Sequence, residues 1–527
     1  MRCHLFKITF VLIIIFLSIG CKKENPTFEK KHFKKEITNK KKYGTLVILG
    51  KSDDASAFDF IQVVNHAYFY GRAHKKTERV IFGDSIKMIL DSIPINGLLD
   101  FWVLSKNITY NSRVYMDSEI DTVTFEIKNG KLEFNGNNSI LNNFYSDLTV
   151  STRDYFSNIS YKGDIRSYKE DINSIYMEKL DYLDKYVIKH NITSEDYIAL
   201  IKSELKNNYL LELINPRVVP AIEAGKYYGD SNQLHSIIDK EHSNNNELIF
   251  SFKDYFDSIE IKDFNTPKML NSEPFKDNII PFVINYFDTS NYARFTKEKF
   301  LSEKEFIKNN FDADIQIYAI GRLIREYNQN GFGANDENSE FIKEIINGYM
   351  SDLKDPSYIE AMQELKDDII KYDSELSEIS LNTKLISTFG DTLTLNEIFN
   401  RSKKRIKVLD FWASWCPPCI KEITEAKSFK DKLAIENDID WVYLSIDDNQ
   451  DKWLEKSAEL QTFLNTRDQY LISNGNKSSL AKELNVNWIP RYVIFDQNNK
   501  IILNNSPRPS DSILFKKIID EIKLKTR

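Results

Sequence analysis

The sequence predicts a multidomain protein, with an N-terminal antiparallel β domain, an α-helical middle domain and a C-terminal α/β domain. Three observations predict it. At 527 residues the chain exceeds a single core, at about 150 residues per domain. Its apolar pattern changes from short alternating runs over 43–148 to three- and four-residue spacing over 149–378. Beyond these, the apolar run Val408-Leu409-Asp410-Phe411-Trp412 leads into Cys416-Pro417-Pro418-Cys419, and a second apolar strand pattern follows at 439–446, giving a β-α-β order.

Composition narrows the function classes. Hydrophobic residues make up 42% and charged residues 28% of the chain, the balance of ordinary folded domains. A net charge of −7 without a basic stripe interleaved with aromatics gives no reason to expect a nucleic-acid partner. Proteins or small molecules are the expected partners.

Residues 1–20 read as an export signal, because Arg2 and Lys7 precede an apolar run over 8–19 that is short of the about 20 residues a bilayer span needs. The run closes on Leu17-Ser18-Ile19-Gly20-Cys21, which resembles a bacterial lipoprotein cleavage site, with Ser18 where such sites usually carry leucine. The resemblance implies lipidation of Cys21 and attachment to a membrane, since several acyl chains bind more firmly than one. An uncleaved anchor or a plain secreted form are the alternatives. Residues 21–42 are lysine-rich and have little to bury, so they read as a solvated tether, with attraction to an anionic membrane surface as the other use.

Residues 43–148 carry strand patterns at 45–49, 80–82 and 86–90. The clearest hairpin runs from 122–128 through Asn129-Gly130 to 131–134, Asn-Gly supplying the positive φ values of a tight turn. His66 and His74 lie in this region and read as isolated surface histidines rather than metal ligands. Over 149–378, helical spacing covers 178–188, 194–213, 302–309, 313–327, 339–353 and 359–370. Thr193-Ser194-Glu195-Asp196 and Asp355-Pro356-Ser357 supply start signals, and Gly331 with Gly333 marks a loop. The many tyrosines and phenylalanines there read as core, with a ligand groove as the alternative.

The third region, 379–527, holds strand patterns at 385–387, 393–395, 408–412, 439–446, 487–496 and 501–503, and helices near 452–464, 479–484 and 510–524. Its centre is the cysteine pair. Proline is tolerated in the first helical turn, so Cys416 falls at a helix N-terminus, where the helix dipole favours the thiolate that attacks disulfides. Neither Pro417 nor Pro418 has an N–H to offer the Cys416 sulfur, and a less stabilised thiolate leans toward a reductant rather than an oxidant. Of four cysteines, Cys3 lies in the signal and Cys21 at the lipid site, so Cys416 and Cys419 are the pair left for redox chemistry. The competing use of C-x-x-C is half a zinc site. That needs about four ligands, and all seven histidines precede residue 243, so no metal is expected.

The stretch Trp415-Cys416-Pro417-Pro418-Cys419 resembles thioredoxin, and most closely the TlpA and ResA branch of extracytoplasmic thioredoxin-like proteins. The resemblance covers roughly the last 150 residues and implies a thioredoxin-like fold, a Cys416–Cys419 redox disulfide and no cofactor. It also implies a buried acid on the strand before the motif, matched by Asp410, and an acid three residues after the second cysteine, matched by Glu422. Either carboxylate could accept the proton of the resolving thiol, with a solvated acid as the plainer reading of each. Pro490 matches the family's cis-proline, a trans proline at a strand edge being the alternative, and Ile489 before it would present its backbone to a client peptide. Trp415, Pro418, Ile489 and Pro490 are thus the expected substrate-contacting residues. Arg491 stands where many relatives have threonine, which leaves the polarity of the docking groove open. Residues 43–148 resemble the β-rich N-terminal domains of TlpA-like lipoproteins from Bacteroidetes-type bacteria, in pattern only.

These readings lead to an exported, membrane-tethered thiol-disulfide oxidoreductase of the bacterial cell envelope, facing the periplasm or the cell surface. Disulfide-bearing envelope proteins would be its clients and a membrane thiol donor its electron source, with cytochrome c maturation one process it could serve. The reading from another class is an envelope binding or assembly lipoprotein that uses the thioredoxin-like domain as an interaction module.

Overall fold

The chain is described here from a computed structural model, which covers residues 43–525 apart from 52–59, 67–68, 70–73, 80–84, 96, 105–108, 129–130, 218–233, 235–236, 238–254, 266–269, 284–291, 334 and 465–467. The expected signal, the lipid site at Cys21, the lysine tether, the strand at 80–82 and the Asn129-Gly130 turn lie outside the described residues. Residues 43–525 fall within one compact unit.

The N-terminal region makes eight strands, β1 (Tyr43–Lys51), β2 (Phe60–Asn65), β3 (His74–Arg79), β4 (Ser85–Pro94), β5 (Gly97–Leu104), β6 (Thr109–Met116), β7 (Ile120–Lys128) and β8 (Lys131–Asn135). They form two four-stranded sheets in the orders β4-β1-β7-β8 and β3-β2-β5-β6. Alternation puts Leu46, Ile48, Val123 and Phe125 of one sheet and Ile61, Val63, Phe101 and Val103 of the other into one core. Phe101 reaches across to Phe125 and Phe134, at 5.0 and 5.4 Å between ring centres. The pairing is antiparallel except between β1 and β7, which run parallel with Ile48 opposite Val123. That pair is far apart in sequence, so no hairpin turn constrains its direction. A helix, α1 (Ser139–Ser151), follows and packs on β6 and β8. Its sequence signals are weak, because Ser, Thr, Asn and Asp are frequent in it and its N-terminal Asn138 makes no side-chain cap.

The middle region consists mainly of helices, α2 (Ile165–Lys189), α3 (Glu195–Ile214), α4 (Glu273–Phe282), α5 (Lys297–Asn310), α6 (Ala313–Gln329), α7 (Asp336–Met350) and α8 (Pro356–Ile370). The start signals act as their chemistry predicts. Ser194 accepts the Tyr197 N–H at 3.3 Å, and Asp355 accepts that of Ser357 at 2.9 Å, with Pro356 opening α8. Helix α2 starts well before residue 178, at Ile165, because Asp164 caps it and Ile165, Tyr168, Ile172 and Ile175 continue its buried stripe. Tyr168, Tyr197, Tyr318 and Tyr327 are among the fully buried side chains, so these aromatics fill a core.

The C-terminal region is an eight-stranded mixed sheet in the order β11-β10-β14-β13-β12-β15-β16-β9. Its strands are β9 (Ser374–Glu375), β10 (Lys384–Ser387), β11 (Thr392–Thr394), β12 (Ile406–Trp412), β13 (Ile439–Ser445), β14 (Gln469–Ile472), β15 (Arg491–Phe495) and β16 (Lys500–Leu503). Edge strand β9 draws residues 374–375 into the sheet. Helices α9 (Leu395–Arg401), α10 (Pro417–Glu425), α11 (Lys427–Glu436), α12 (Gln450–Glu459), α13 (Ser479–Glu483) and α14 (Ser512–Lys525) complete the region. Strand β12 is central, parallel to β13 and antiparallel to β15, and all seven of its residues are buried. Burial on both faces suits its apolar residues, and Lys407 and Asp410 are buried with them. No helix among the described residues is long and apolar enough to cross a membrane.

Candidate active site

Strand β12 ends at Trp412 and the chain turns through Ala413-Ser414-Trp415 into α10, with Cys416 as its N-cap and Pro417 and Pro418 in the first turn. The two sulfurs are bonded at 2.08 Å. With both prolines lacking N–H groups, the amide that reaches the Cys416 sulfur is that of Cys419, donating to Sγ at 3.3 Å. Cys416, at the helix N-terminus, is buried. It is 4% exposed against 1% for Cys419, because the neighbouring Trp415, at 63%, and the exposed Pro417 and Pro418 carry the surface around it.

The turn before Cys416 is held by a residue that sequence reasoning missed. Buried Asp447, just after β13, accepts the Ser414 N–H at 2.8 Å and the Ser414 hydroxyl at 2.6 Å, and Ser445 donates to it at 2.6 Å. Charge-assisted bonds of this kind are short and strong. The available signal was Ser445-Ile446-Asp447 at the end of an apolar strand, where a carboxylate could meet the turn after the adjacent parallel strand.

Across from the dithiol, the Ile489-Pro490 bond is cis, and the Ile489 carbonyl oxygen lies 3.9 Å from Cys416 Sγ. Pro490 is buried and Ile489 half-buried, while Trp488 is 42% exposed. Arg491 does not set the polarity of a docking groove. Its side chain is turned inward and is fully buried; burial pushes its pKa below the ordinary arginine value against the pull of Asp368.

The two candidate carboxylates are both buried, so neither is a solvated acid. Asp410, on β12, meets Lys430 of α11, Oδ2 to Nζ 2.7 Å, and Oδ1 makes no hydrogen bond of normal geometry. Burial raises the Asp410 pKa above the ordinary 3.8, and the Lys430 ammonium and the Tyr492 hydroxyl pull it back only in part. Lys430 is seated among Trp441, Tyr443 and Tyr492, its Nζ 5.0–5.4 Å from their ring centres. It carries no sequence signal, since an amphipathic helix places most of its lysines in water. Glu422 has both carboxylate oxygens engaged, one by the Ser510 hydroxyl and the other by the Ser510 N–H at 3.2 Å.

Metal-type side chains do gather elsewhere. His66, expected as an isolated surface residue, is part-buried with Nε2 2.7 Å from Asp100 and 3.9 Å from Glu273. Arg113 shares Asp100 at 3.1 Å and Glu204 at 2.7 Å, so an ion-pair network already engages these groups.

Residues 404–501 match the family described as thioredoxin-like. Among solved structures, the thioredoxin domain of a thiol-disulfide oxidoreductase from Bacteroides vulgatus aligns at 18% identity over 28% of this chain and 99% of its own, with a TM-score of 0.23. A thiol-disulfide oxidoreductase from Bacteroides fragilis aligns at 20% identity over 27% of this chain and 99% of its own, TM-score 0.23. A thioredoxin-like protein from Bacteroides caccae extends over 52% of this chain and 91% of its own, at 13% identity and a TM-score of 0.32. No curated protein matches the chain.

Proposed function

The C-terminal region of this chain being a thioredoxin-like domain, we propose that the protein is a thiol-disulfide oxidoreductase that reduces disulfides of cell-envelope proteins. The observation that carries this is Cys416 Sγ at the N-terminus of α10, next to Cys419 and 3.9 Å from the Ile489 carbonyl. A client chain laid along Ile489 and Pro490, between Trp415 and Trp488, would bring its disulfide to that sulfur.

In the reduced protein the Cys416 thiolate attacks one client sulfur, a mixed disulfide forms, and the other client sulfur leaves as thiolate. The Cys419 thiol loses its proton and attacks Cys416 Sγ, which re-forms the Cys416–Cys419 disulfide and releases the client as a dithiol. Two electrons pass to the client, and a membrane thiol donor returns them. Asp410 is the favoured acceptor for the Cys419 proton, because burial raises its pKa whereas both oxygens of Glu422 are held by Ser510. The absence of N–H groups on Pro417 and Pro418 supports reduction over oxidation. Residues 1–42 support export and a lipid tether at Cys21, from the charge and apolar pattern of the sequence.

Trapping tests the reading. A Cys419→Ala variant, expressed in its own envelope, should accumulate mixed disulfides through Cys416 that dithiothreitol releases. If none form while Cys416 still reacts with a thiol reagent, the oxidoreductase reading fails and the interaction-module reading replaces it.

A further inference from the structure

The peptide-docking loop is gripped from outside its own domain. Asp368, on α8 of the helical region, is buried, and its carboxylate accepts from three groups of the C-terminal region. Asn504 Nδ2 donates to Oδ1 at 2.7 Å, Asn485 Nδ2 to the same oxygen at 3.0 Å, and Arg491 Nη2 to Oδ2 at 3.4 Å. Arg491 Nη2 also donates to the Leu484 carbonyl at 3.3 Å, while its Nε and Nη1 make no hydrogen bond. Asp368 is the carboxylate paired with the fully buried Arg491 guanidinium. Arg491 directly follows Pro490, and Ile489 on the other side of that proline touches Cys416 Sγ.

A second contact reaches the same loop. Two guanidinium groups lie over the Trp488 ring, Arg491 at 5.1 Å and Arg325 of α6 at 5.9 Å from its centre. Two helices of the middle region thus hold both ends of the segment 488–491. An unpaired buried charge is too costly to keep in place, so loss of the Asp368 charge would drive Arg491 toward water and move the loop with it.

Resting on the oxidoreductase reading, we propose that Asp368 is a positioning residue that holds loop 488–491 in register for a client peptide, so that the helical region sets how protein disulfides meet Cys416. Its action is on docking rather than on sulfur chemistry. A small disulfide that needs no backbone docking should therefore be nearly indifferent to it.

The test uses full-length protein, with insulin as the peptide disulfide turned over with dithiothreitol as reductant, and 5,5′-dithiobis(2-nitrobenzoic acid) as the small one, reacted in a single turnover with pre-reduced protein freed of dithiothreitol, which would otherwise reduce that reagent directly. Asp368→Asn should lower kcat/KM for insulin about ten-fold, mainly through KM, and change the rate with the small disulfide by less than about two-fold. Should that variant fail to fold, Asn485→Gly removes one of the carboxylate's donors at a position with φ +50°, where glycine is unstrained. It should lose about three-fold on insulin and nothing on the small disulfide. Equal losses on both substrates, or no loss on either, overturn the proposal while the parent's activity stands. A parent that reduces neither substrate overturns the oxidoreductase reading and this inference with it.

Discussion

Lys430 Nζ lies 2.7 Å from Asp410 Oδ2, with both side chains almost completely removed from water. The pair is asymmetric. Burial raises the Asp410 pKa despite the ammonium beside it, so the folded protein holds that proton more tightly than the unfolded chain does.

From this asymmetry, Lys430→Met should be the damaging change. At neutral pH it leaves a carboxylate buried without its cation and should cost up to about 3–5 kcal/mol, whereas Asp410→Asn keeps the shape and should cost less. The sign with pH follows from the raised value. Stability contributed by protonated Asp410 is complete below its ordinary 3.8 and is lost as pH rises through the folded value. Urea unfolding from pH 3 to 8 should show the Lys430→Met deficit growing with pH, and equal deficits at all pH values would contradict the assignment.

The same carboxylate bears on turnover. Asp410→Asn should slow resolution of the mixed disulfide more than Glu422→Gln, because Ser510 already occupies both Glu422 oxygens. The double variant should be the slowest, on a scale of about 10²- to 10⁴-fold, with the initial attack by Cys416 little changed. Stopped-flow kinetics from pH 5 to 9 separate the two steps, and parental resolution in the double variant would remove both acids from the mechanism.

Asp447 should prove a determinant of the turn before the dithiol. Asp447→Asn replaces a charged acceptor of the Ser414 N–H and hydroxyl and should destabilise the protein by about 1.5–3 kcal/mol. Ser414→Ala removes only the hydroxyl bond and should cost about half as much or less. Chemical denaturation of both variants checks the order, and a larger loss for Ser414→Ala would refute it.

Gly331 marks the seam between the helical region and the terminal helix. It has φ +77°, and a Cβ there would collide with Ile518 Cδ1 of α14. Gly331→Ala should therefore cost about 1–3 kcal/mol, from strain and crowding together. Adding Ile518→Val removes the colliding methyl and should recover part of the loss in thermal unfolding. No recovery would assign the cost to the backbone alone.

How much of this was legible in the sequence follows from the range of each interaction. Periodicity located α3, α6 and α8 and the strand into the dithiol, because local burial patterns and caps such as Ser194 and Asp355 act within a few residues. It was silent on the parallel pairing of β1 with β7, on the four-residue β14, and on α1, whose capping is weak. The sequence by itself determined the chemistry: two cysteines around two prolines at a strand-to-helix turn, a proline loop about seventy residues on, and acids on either side. Only the tertiary structure decided which of those groups meet. Lys430 comes to Asp410, Ser510 to Glu422, Asp447 to Ser414 and Asp368 to Arg491, partners 20, 88, 33 and 123 residues apart. A charged side chain reads from sequence as a surface residue; in these pairs it is buried where a distant partner compensates its desolvation, and that partner is chosen by the packing of the elements rather than by the residues around it.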